Sequence, residues 1–291
     1  MQHSEPNPVL HIPTILGEGP IWSVEEGVLY WLDIFRPSIN RFDPRSGDNR
    51  VIPVGETIYA AGFAPDGAFI ASLDSGFALL DRNGVKQKQF ANPNAGRPVN
   101  FNDGRVDRSG RFWSGTMAKD WTSPIGSLWR LRGNGDMVEM DGNVILANGI
   151  AFSPDDRVLY FTDFGRRTIY AYPFDIRSGT LGQREPVVVL PEGDGSPDGI
   201  TVDTEGYIWV AHWDGWCVSR HDPKGRETAR IHFPVPRPTS VAFGGDRLQT
   251  LYVTSAAMGL TADLLDRAPL SGALFAVETD ATGLSEACFV T

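Results

Sequence analysis

Oxygen-bearing side chains suited to a hard cation stand just before a glycine at four places: Glu18-Gly19, Asp103-Gly104, Asn148-Gly149 and Asp198-Gly199. Taken singly, an Asp-Gly or Asn-Gly pair is an ordinary hairpin turn and carries no function. These four matter because each falls at the same point of a recurring pattern, whose remaining two copies offer Ala61 and Thr239 there. Asn102 adjoins Asp103 and takes the inward place if that turn is shifted by one residue. Carboxylates and amides converging in a narrow space repel unless something neutralises them. A hard divalent cation is the natural neutraliser: calcium, magnesium or manganese by ligand type, with zinc or Fe(II) able to use the same oxygens. Glycine after each donor lets the backbone turn and leaves the space beside it empty.

The pattern that positions these donors is a small turn, a short strand, a Pro-Asp-Gly-like turn and then a strongly apolar strand. Examples are Glu18-Gly19-Pro20-Ile21-Trp22 before Val28-Leu29-Tyr30-Trp31-Leu32, and Asn148-Gly149-Ile150-Ala151-Phe152 before Val158-Leu159-Tyr160-Phe161. A third is Asp198-Gly199-Ile200-Thr201-Val202 before Tyr207-Ile208-Trp209-Val210. Alternating segments follow, such as Ser38 to Pro44, Gly126 to Leu131 and Thr168 to Pro173, each reading as a third, half-buried strand. Six copies recur at intervals of roughly 40 to 50 residues, the period of a four-stranded propeller blade. The expectation is an all-β chain: one six-bladed β-propeller of four-stranded antiparallel blades filling residues 1–291 as a single domain. Val9 to Leu16 is strand-like and is expected to pair into the last blade, closing the ring and covering the sheet edges. In such a ring the innermost strand of every blade borders the central channel, so the residues that begin it crowd around the axis at one mouth.

Composition narrows the partners. Lys and Arg number 26 against 36 Asp and Glu, a net charge of −10 that repels nucleic-acid phosphates and anionic membranes. Cys217 and Cys288 are the only cysteines, which argues against a disulfide scaffold and for a reducing compartment. The N-terminus shows no basic start followed by an apolar run, and no apolar stretch has membrane-spanning length, so a cytoplasmic location is expected. A Gly-x-Ser-x-Gly elbow, a His-Glu-x-x-His helix and a Walker loop are all absent. His212, beside Trp213, is the histidine nearest a plausible pocket, with a packed role favoured over a catalytic one.

Several stretches resemble the gluconolactonase, regucalcin and senescence-marker family of six-bladed propellers. They are Leu16-Gly17-Glu18-Gly19-Pro20-Ile21-Trp22, Asn102-Asp103-Gly104-Arg105-Val106-Asp107 with Gly115-Thr116-Met117, Asn148 to Asp155, and Pro197-Asp198-Gly199. The resemblance implies that Glu18, Asn148 and Asp198 bind one divalent cation. It also turns Asn102, not Asp103, toward the channel, and implies that Asn102 and Asp120 contact substrate hydroxyls. Where many relatives carry Arg two residues before that asparagine, this chain has Asn100, with Arg97 three residues earlier as a substitute; Asp120 is a methylene shorter than the Glu of some relatives. The implied reaction is hydrolysis of a sugar aldonolactone to its acid, the cation acting as Lewis acid on the carbonyl. The general base is Asp198, or the cation activates the water without a separate base. Asn100, Asn102, Asp120 and Arg97 would orient the sugar, with Trp22, Trp121 and Phe164 candidates for its apolar face. Two alternatives stand beside this one: another esterase or phosphotriesterase using the same cation, and a calcium-binding propeller without catalysis.

Overall fold

The structure is a computed structural model that describes every residue except Pro13. Six antiparallel sheets, each built from consecutive strands, form the blades of a ring. Blade 1 runs Gly17–Ser23, Val28–Asp33, Ser38–Asp43 and Asp48–Pro53. The second strand of each blade is the strong apolar one, and Val28–Asp33, Phe69–Leu73 and Phe112–Ala118 are buried along their whole length. A strand covered on both faces has no solvent side, which is why these segments read as apolar runs rather than alternations. The outermost strands grade into water, and Lys86–Gln89 in blade 2 is exposed throughout.

The core is six wedges, one between each pair of neighbouring blades. Ile21, Leu32, Ile58 and Phe69 join blades 1 and 2, and the last wedge joins blade 6 to blade 1 through Trp22, Trp31, Tyr252 and Leu274. Such wedges need a closed ring, because an open end would expose one of them. Asn7–Leu10 closes it by pairing antiparallel with Leu274–Glu278 as the outer strand of blade 6. The expected closing segment overlaps this strand only at its start. Leu16 makes a separate bridge to Ala256, and Pro13 lies outside the described residues.

Two features depart from a uniform ring. Blade 4 adds a two-residue strand, Thr180–Leu181, beside its fourth strand, because Thr168–Asp175 is long enough to pair with both. Blade 6 carries a short helix, Ala262–Arg267, between its second strand and Leu274–Glu278, with Thr261 capping it by accepting from the Leu264 N–H. Among the described residues no helix is long and apolar enough to cross a membrane.

The feature that positions the site is a register shift in every blade. Each innermost strand slips against the second strand near its start, between Glu18 and Ile21, Phe101 and Gly104, Asn148 and Ile150, and Pro197 and Ile200 in the four donor-bearing blades. A β-bulge takes a residue out of the ladder and re-aims its side chain. Here it turns the donor side chains toward the ring's axis.

Candidate metal and active site

One cavity of about 350 Å³ opens at the mouth where the innermost strands begin, and Glu18, Asn102, Asp103, Asn148 and Asp198 all line it. They come from blades 1, 3, 4 and 5, so side chains up to 180 positions apart in sequence share one floor. In the other two blades the bulge leaves out Tyr59 and Thr239, and neither is a free oxygen donor: the Tyr59 hydroxyl, in the cavity wall, donates to the Asp74 carboxylate at 2.7 Å, and the Thr239 hydroxyl donates to the Gly17 carbonyl at 2.6 Å. Ala61, the place expected from the sequence, is already back in the ladder opposite Ala71.

The glycines beside the donors have two different uses. Gly19 adopts φ +51°, which favours glycine. Gly149 and Gly199 have no such φ; they are places where neighbouring strands touch. A Cβ on Gly149 would lie 2.7 Å from the Asp198 carbonyl oxygen, and one on Gly199 2.5 Å from the Ser240 Cβ. The turn-making role expected for these two glycines is therefore corrected to close packing of adjacent blades.

Ladder register explains how blade 3 offers two side chains. Phe101 pairs with Thr116 and Gly104 with Ser114, leaving Asn102 and Asp103 together in the bulge. In blade 5 Pro197 pairs with His212 and Ile200 with Val210, leaving Asp198 and Gly199 there. Asn102 thus occupies the place of Asp198, and Asp103 that of Gly199. Both line the cavity, so the inward position is shared rather than assigned to Asn102 alone.

The electrostatics of this floor are those of crowded anions. Burial first, then the charges of Asp198 and Asp103, push Glu18 well above the usual carboxylate range. Burial, then Asp103, pushes Asp198 up as well, with the neighbouring Asn148 amide pulling it partly back. Asp103 rises to about 6, burial outweighing the Gly104 N–H, which donates to it at 2.6 Å, and the charge of Arg105. The Gly19 and Gly149 N–H groups donate to Glu18 Oε2 and Asn148 Oδ1, each at 3.1 Å. The Oδ1 of Asp198 is buried with no hydrogen-bond partner. A buried carboxylate oxygen left unpaired is costly, and a hard cation would satisfy it and offset the crowding at once. Among the described residues no three His, Cys, Asp or Glu side chains alone form a metal cluster. The donor set that fits is mixed: two carboxylates, Glu18 and Asp198, and the Asn148 amide.

The remaining candidates divide. Asn100 lines the cavity wall, and the Asn102 Nδ2 donates to the Ala147 carbonyl at 2.7 Å, which leaves its own oxygen as the available group. Arg97 and Asp120 are not in the wall. The Arg97 guanidinium donates to the Ile125 carbonyl at 3.0 Å. The Asp120 carboxylate accepts from the Thr122 and Ser123 N–H groups, both at 2.9 Å, and these and the Ser123 hydroxyl hold it down at about 2. Trp121 and Phe164 line the cavity, but Trp22 does not. Trp22 is 4% exposed and stacks on Tyr252 at 5.5 Å, closing the wedge between blades 6 and 1. His212 is packed in blade 5 and is not in the wall.

A model of the family described as SMP-30/Gluconolactonase/LRE-like region matches residues 16–257 of this chain, the span that carries all of these donors. The chain belongs to that family. Within the SMP-30/gluconolactonase family, a 6-deoxy-6-sulfogluconolactonase of Pseudomonas putida is 40% identical over 283 residues, covering 97% of each chain. A pentonolactonase of Haloferax volcanii is 36% identical over 275 residues, covering 93% of each. The crystal structure of a calcium-binding protein, regucalcin, from Agrobacterium tumefaciens superposes with a TM-score of 0.92 at 28% identity, covering 97% of this chain and 96% of that one. Family membership leaves open the residues that surround the polar floor. Phe35, Tyr59, Trp213 and Met258 line the wall and were not legible as site residues in the sequence. Phe35, Trp121, Phe164, Trp213 and Met258 follow or end the second strand of their blades. Aligning the repeats at that point would have found them.

Proposed function

We propose that this protein hydrolyses a sugar lactone to the hydroxy acid, using one divalent cation held by Glu18, Asn148 and Asp198. The observation that carries the cation is the unpartnered, buried Oδ1 of Asp198 beside two further carboxylates. Lactone chemistry is supported by the relatives named for it, a sulfogluconolactonase and a pentonolactonase matched over nearly their whole length. Those two names specify different lactones, so the particular sugar is not carried over from either. When bound, the cation would supply Lewis acidity toward the lactone's oxygens.

The chain's own residues supply the rest. Asp198 takes the proton from the attacking water as the water oxygen bonds to the carbonyl carbon. The ring carbon–oxygen bond then breaks, and that proton passes to the leaving oxygen, giving one carboxylic acid and one hydroxyl. Asn100 and the free oxygen of Asn102 orient the sugar hydroxyls, which need acceptors once the cavity has displaced their water. Asp103 adds negative charge beside Glu18 and Asp198 and keeps the floor selective for a cation.

Asp198→Asn keeps the shape and removes both charge and base. Its kcat should fall by about 1000-fold or more, the scale of losing a positioned base together with electrostatic help, while the circular-dichroism spectrum stays that of the parent. Chelation should abolish turnover, and added divalent cation should restore it. Wild-type rates from purified Asp198→Asn across a lactone panel would remove the basis of this assignment. A panel that also holds aryl esters and phosphotriesters separates a lactonase from other hydrolases, and cation binding without turnover of any of them would mark a non-catalytic propeller.

A further inference from the structure

The cavity has two chemically distinct levels. Its floor is polar and anionic, and its mouth is apolar: Phe35, Trp121, Phe164, Trp213 and Met258 form a collar around it. Phe164 and Trp213 meet edge to face at 6.4 Å, which fixes both rings. Phe35 and Trp121 stay 53% and 48% exposed, and Trp121 holds φ +64°, a conformation uncommon for a bulky residue. Large aromatic side chains exposed together at a cavity mouth mark a surface built to be covered.

Among the described residues no Lys, Arg or His belongs to the lining. Cations of the neighbouring segments are committed elsewhere or lie outside it: Arg166 pairs with Asp163, and Arg167 donates to the Leu190 carbonyl at 3.3 Å. Arg237 stacks on the Trp213 ring at 4.5 Å and pairs with Asp214 at 2.6 Å. Arg97 donates to the Ile125 carbonyl. Arg105 pairs with Glu286 at 3.2 Å, away from the mouth. Arg36 and Lys119 are exposed neighbours of collar segments and are not part of the wall. An anionic group carried by the substrate would therefore meet aromatic rings above and carboxylates below, with neutral donors such as the Thr57 hydroxyl and the Asn100 amide in the wall but no cation to pair its charge.

We propose that the lactone this site takes is uncharged at the end remote from its carbonyl and presents an apolar group there, as a terminally deoxygenated sugar lactone does, against the collar of Phe35, Trp121, Phe164 and Trp213. This rests on the lactonase reading above and adds the identity of the distal group. The carbonyl end is placed at the floor because only the floor has groups that bind a cation and accept a proton. The distal carbon then falls at the collar. A methyl group there buries apolar surface against rings, whereas a hydroxymethyl group gives up water for a mostly aromatic surface with few polar atoms, and a sulfonate or phosphate, with no cation to meet it, loses far more.

The test is kcat/KM for three aldonolactones sharing one ring and stereochemistry and differing only at the terminal carbon: methyl, hydroxymethyl, and a sulfonate-bearing carbon. The wild-type protein is assayed with saturating divalent cation. The expected order is methyl over hydroxymethyl by about 10-fold, and methyl over sulfonate by at least about 100-fold, the sizes that one unpaired hydroxyl and one unpaired charge produce in an apolar subsite. Phe35→Ala and Trp121→Gly remove exposed collar side chains without opening the core, and each should bring the methyl-to-hydroxymethyl ratio toward one. A loss of general structure lowers all three lactones together and leaves that ratio unchanged, which would count against the collar. Equal turnover of the sulfonate and methyl lactones would overturn the proposal and leave the lactonase reading standing. If none of the three is turned over, activity on other members of the lactone panel overturns this proposal alone, and a wholly inert panel overturns both.

Discussion

Asp107, Asp198 and Asp203 are all buried, yet their surroundings differ in a way that separates scaffold from site. Asp107 accepts from the Ser109 and Arg111 N–H groups, the Arg111 Nε and the Trp113 Nε1. Asp203 does the same for Glu205, Tyr207, Trp209 and Arg220. Both are locks on the turn that joins the first two strands of a blade. Asp198 has an oxygen with no partner and two anions nearby. Without a cation that charge costs stability. Asp198→Asn should therefore raise the unfolding free energy of the chelator-treated protein, on the order of 1 kcal/mol, while abolishing the stabilisation that added cation gives the parent; a thermal melt with and without metal reads both. A second residue-scale prediction concerns pH. His212 contacts the Asp194 carbonyl at 2.8 Å and the Ser219 Oγ at 2.6 Å, and that Oγ lies 2.7 Å from the His221 Nε2. One serine proton cannot serve both rings. With His212 donating to Asp194 and accepting from Ser219, a neutral His221 can donate to Ser219 from Nε2 or to the Gly225 carbonyl, 3.2 Å from its Nδ1, but not to both. Burial drives His212 down to about 4 and lowers His221 as well. Both are depressed below the unfolded value of 6.5, so the unfolded chain binds these protons first. Their contribution is full above pH 6.5 and lost as pH falls toward 4, at most about 3 kcal/mol for His212. Urea unfolding at stepped pH should show that loss, and His212→Asn, which cannot take the proton, should flatten it. An unchanged slope in His212→Asn would assign the acid sensitivity elsewhere.

At the scale of the strand, the innermost strands work through their bulges and through the glycines that let those strands touch. Gly199 faces Ser240 of blade 6 so closely that a Cβ would sit 2.5 Å from the Ser240 Cβ and 2.7 Å from its Cα. Gly199→Ala should cost about 1–3 kcal/mol as overpacking, and because the strain falls next to Asp198 it should weaken cation binding as well. Ser240→Gly added to it removes two of the three clashing atoms and should recover part of both losses. Calorimetric titration of the cation against the single and double variants measures the recovery, and strict additivity of the two substitutions would show that the contact is not shared. This packing also shows what a sequence can reveal. The six blades and their strands were legible because a strand buried on both faces must be apolar, and turns must be glycine-rich, wherever they occur. Glu18, Asp103, Asn148 and Asp198 were legible as candidates because the repeat gives them equivalent addresses, and the choice of three among them came from the family resemblance. The bulge was not, since register depends on the partner strand: from sequence Asp103 aligns with Asp198, whereas in the ladder Asn102 does. The collar was partly hidden for a related reason. Trp121 and Phe164 were named from the sequence, but Phe35, Trp213 and Met258 stand at different offsets from the end of their second strands, and Trp22, which looked equally suited, is consumed by the wedge against Tyr252.

The whole ring is held shut at two places, and they are unequal in kind. Asn7–Leu10 closes blade 6 with backbone pairing at its rim, where Asn7 and Pro8 are exposed. The C-terminal tail works at the mouth opposite the site. Gly283 bridges to Asp203 of blade 5, and further on the Phe289 N–H donates to the Phe63 carbonyl of blade 2 and the Val290 N–H to the Gly110 carbonyl of blade 3. Between them Glu286 pairs with Arg105. The tail is thus a strap across three blades, anchored by the Phe289 ring, which is fully buried in the wedge of blades 2 and 3 and meets Phe90 at 6.3 Å. Deleting a buried phenylalanine removes transfer free energy and leaves a cavity, so Phe289→Ala should lower the unfolding free energy by about 3–5 kcal/mol. The ring-forming strands do not depend on that side chain for their pairing, and the site lies at the other mouth. Cation affinity and kcat measured well below the new melting temperature should therefore stay within about twofold of the parent, as expected for separated positions. A strap that merely decorates the surface would give a small stability change. A strap that transmits strain through the channel would change kcat at constant fold, and the paired measurement of urea midpoint and turnover distinguishes these from a latch that holds the blades together without touching the chemistry.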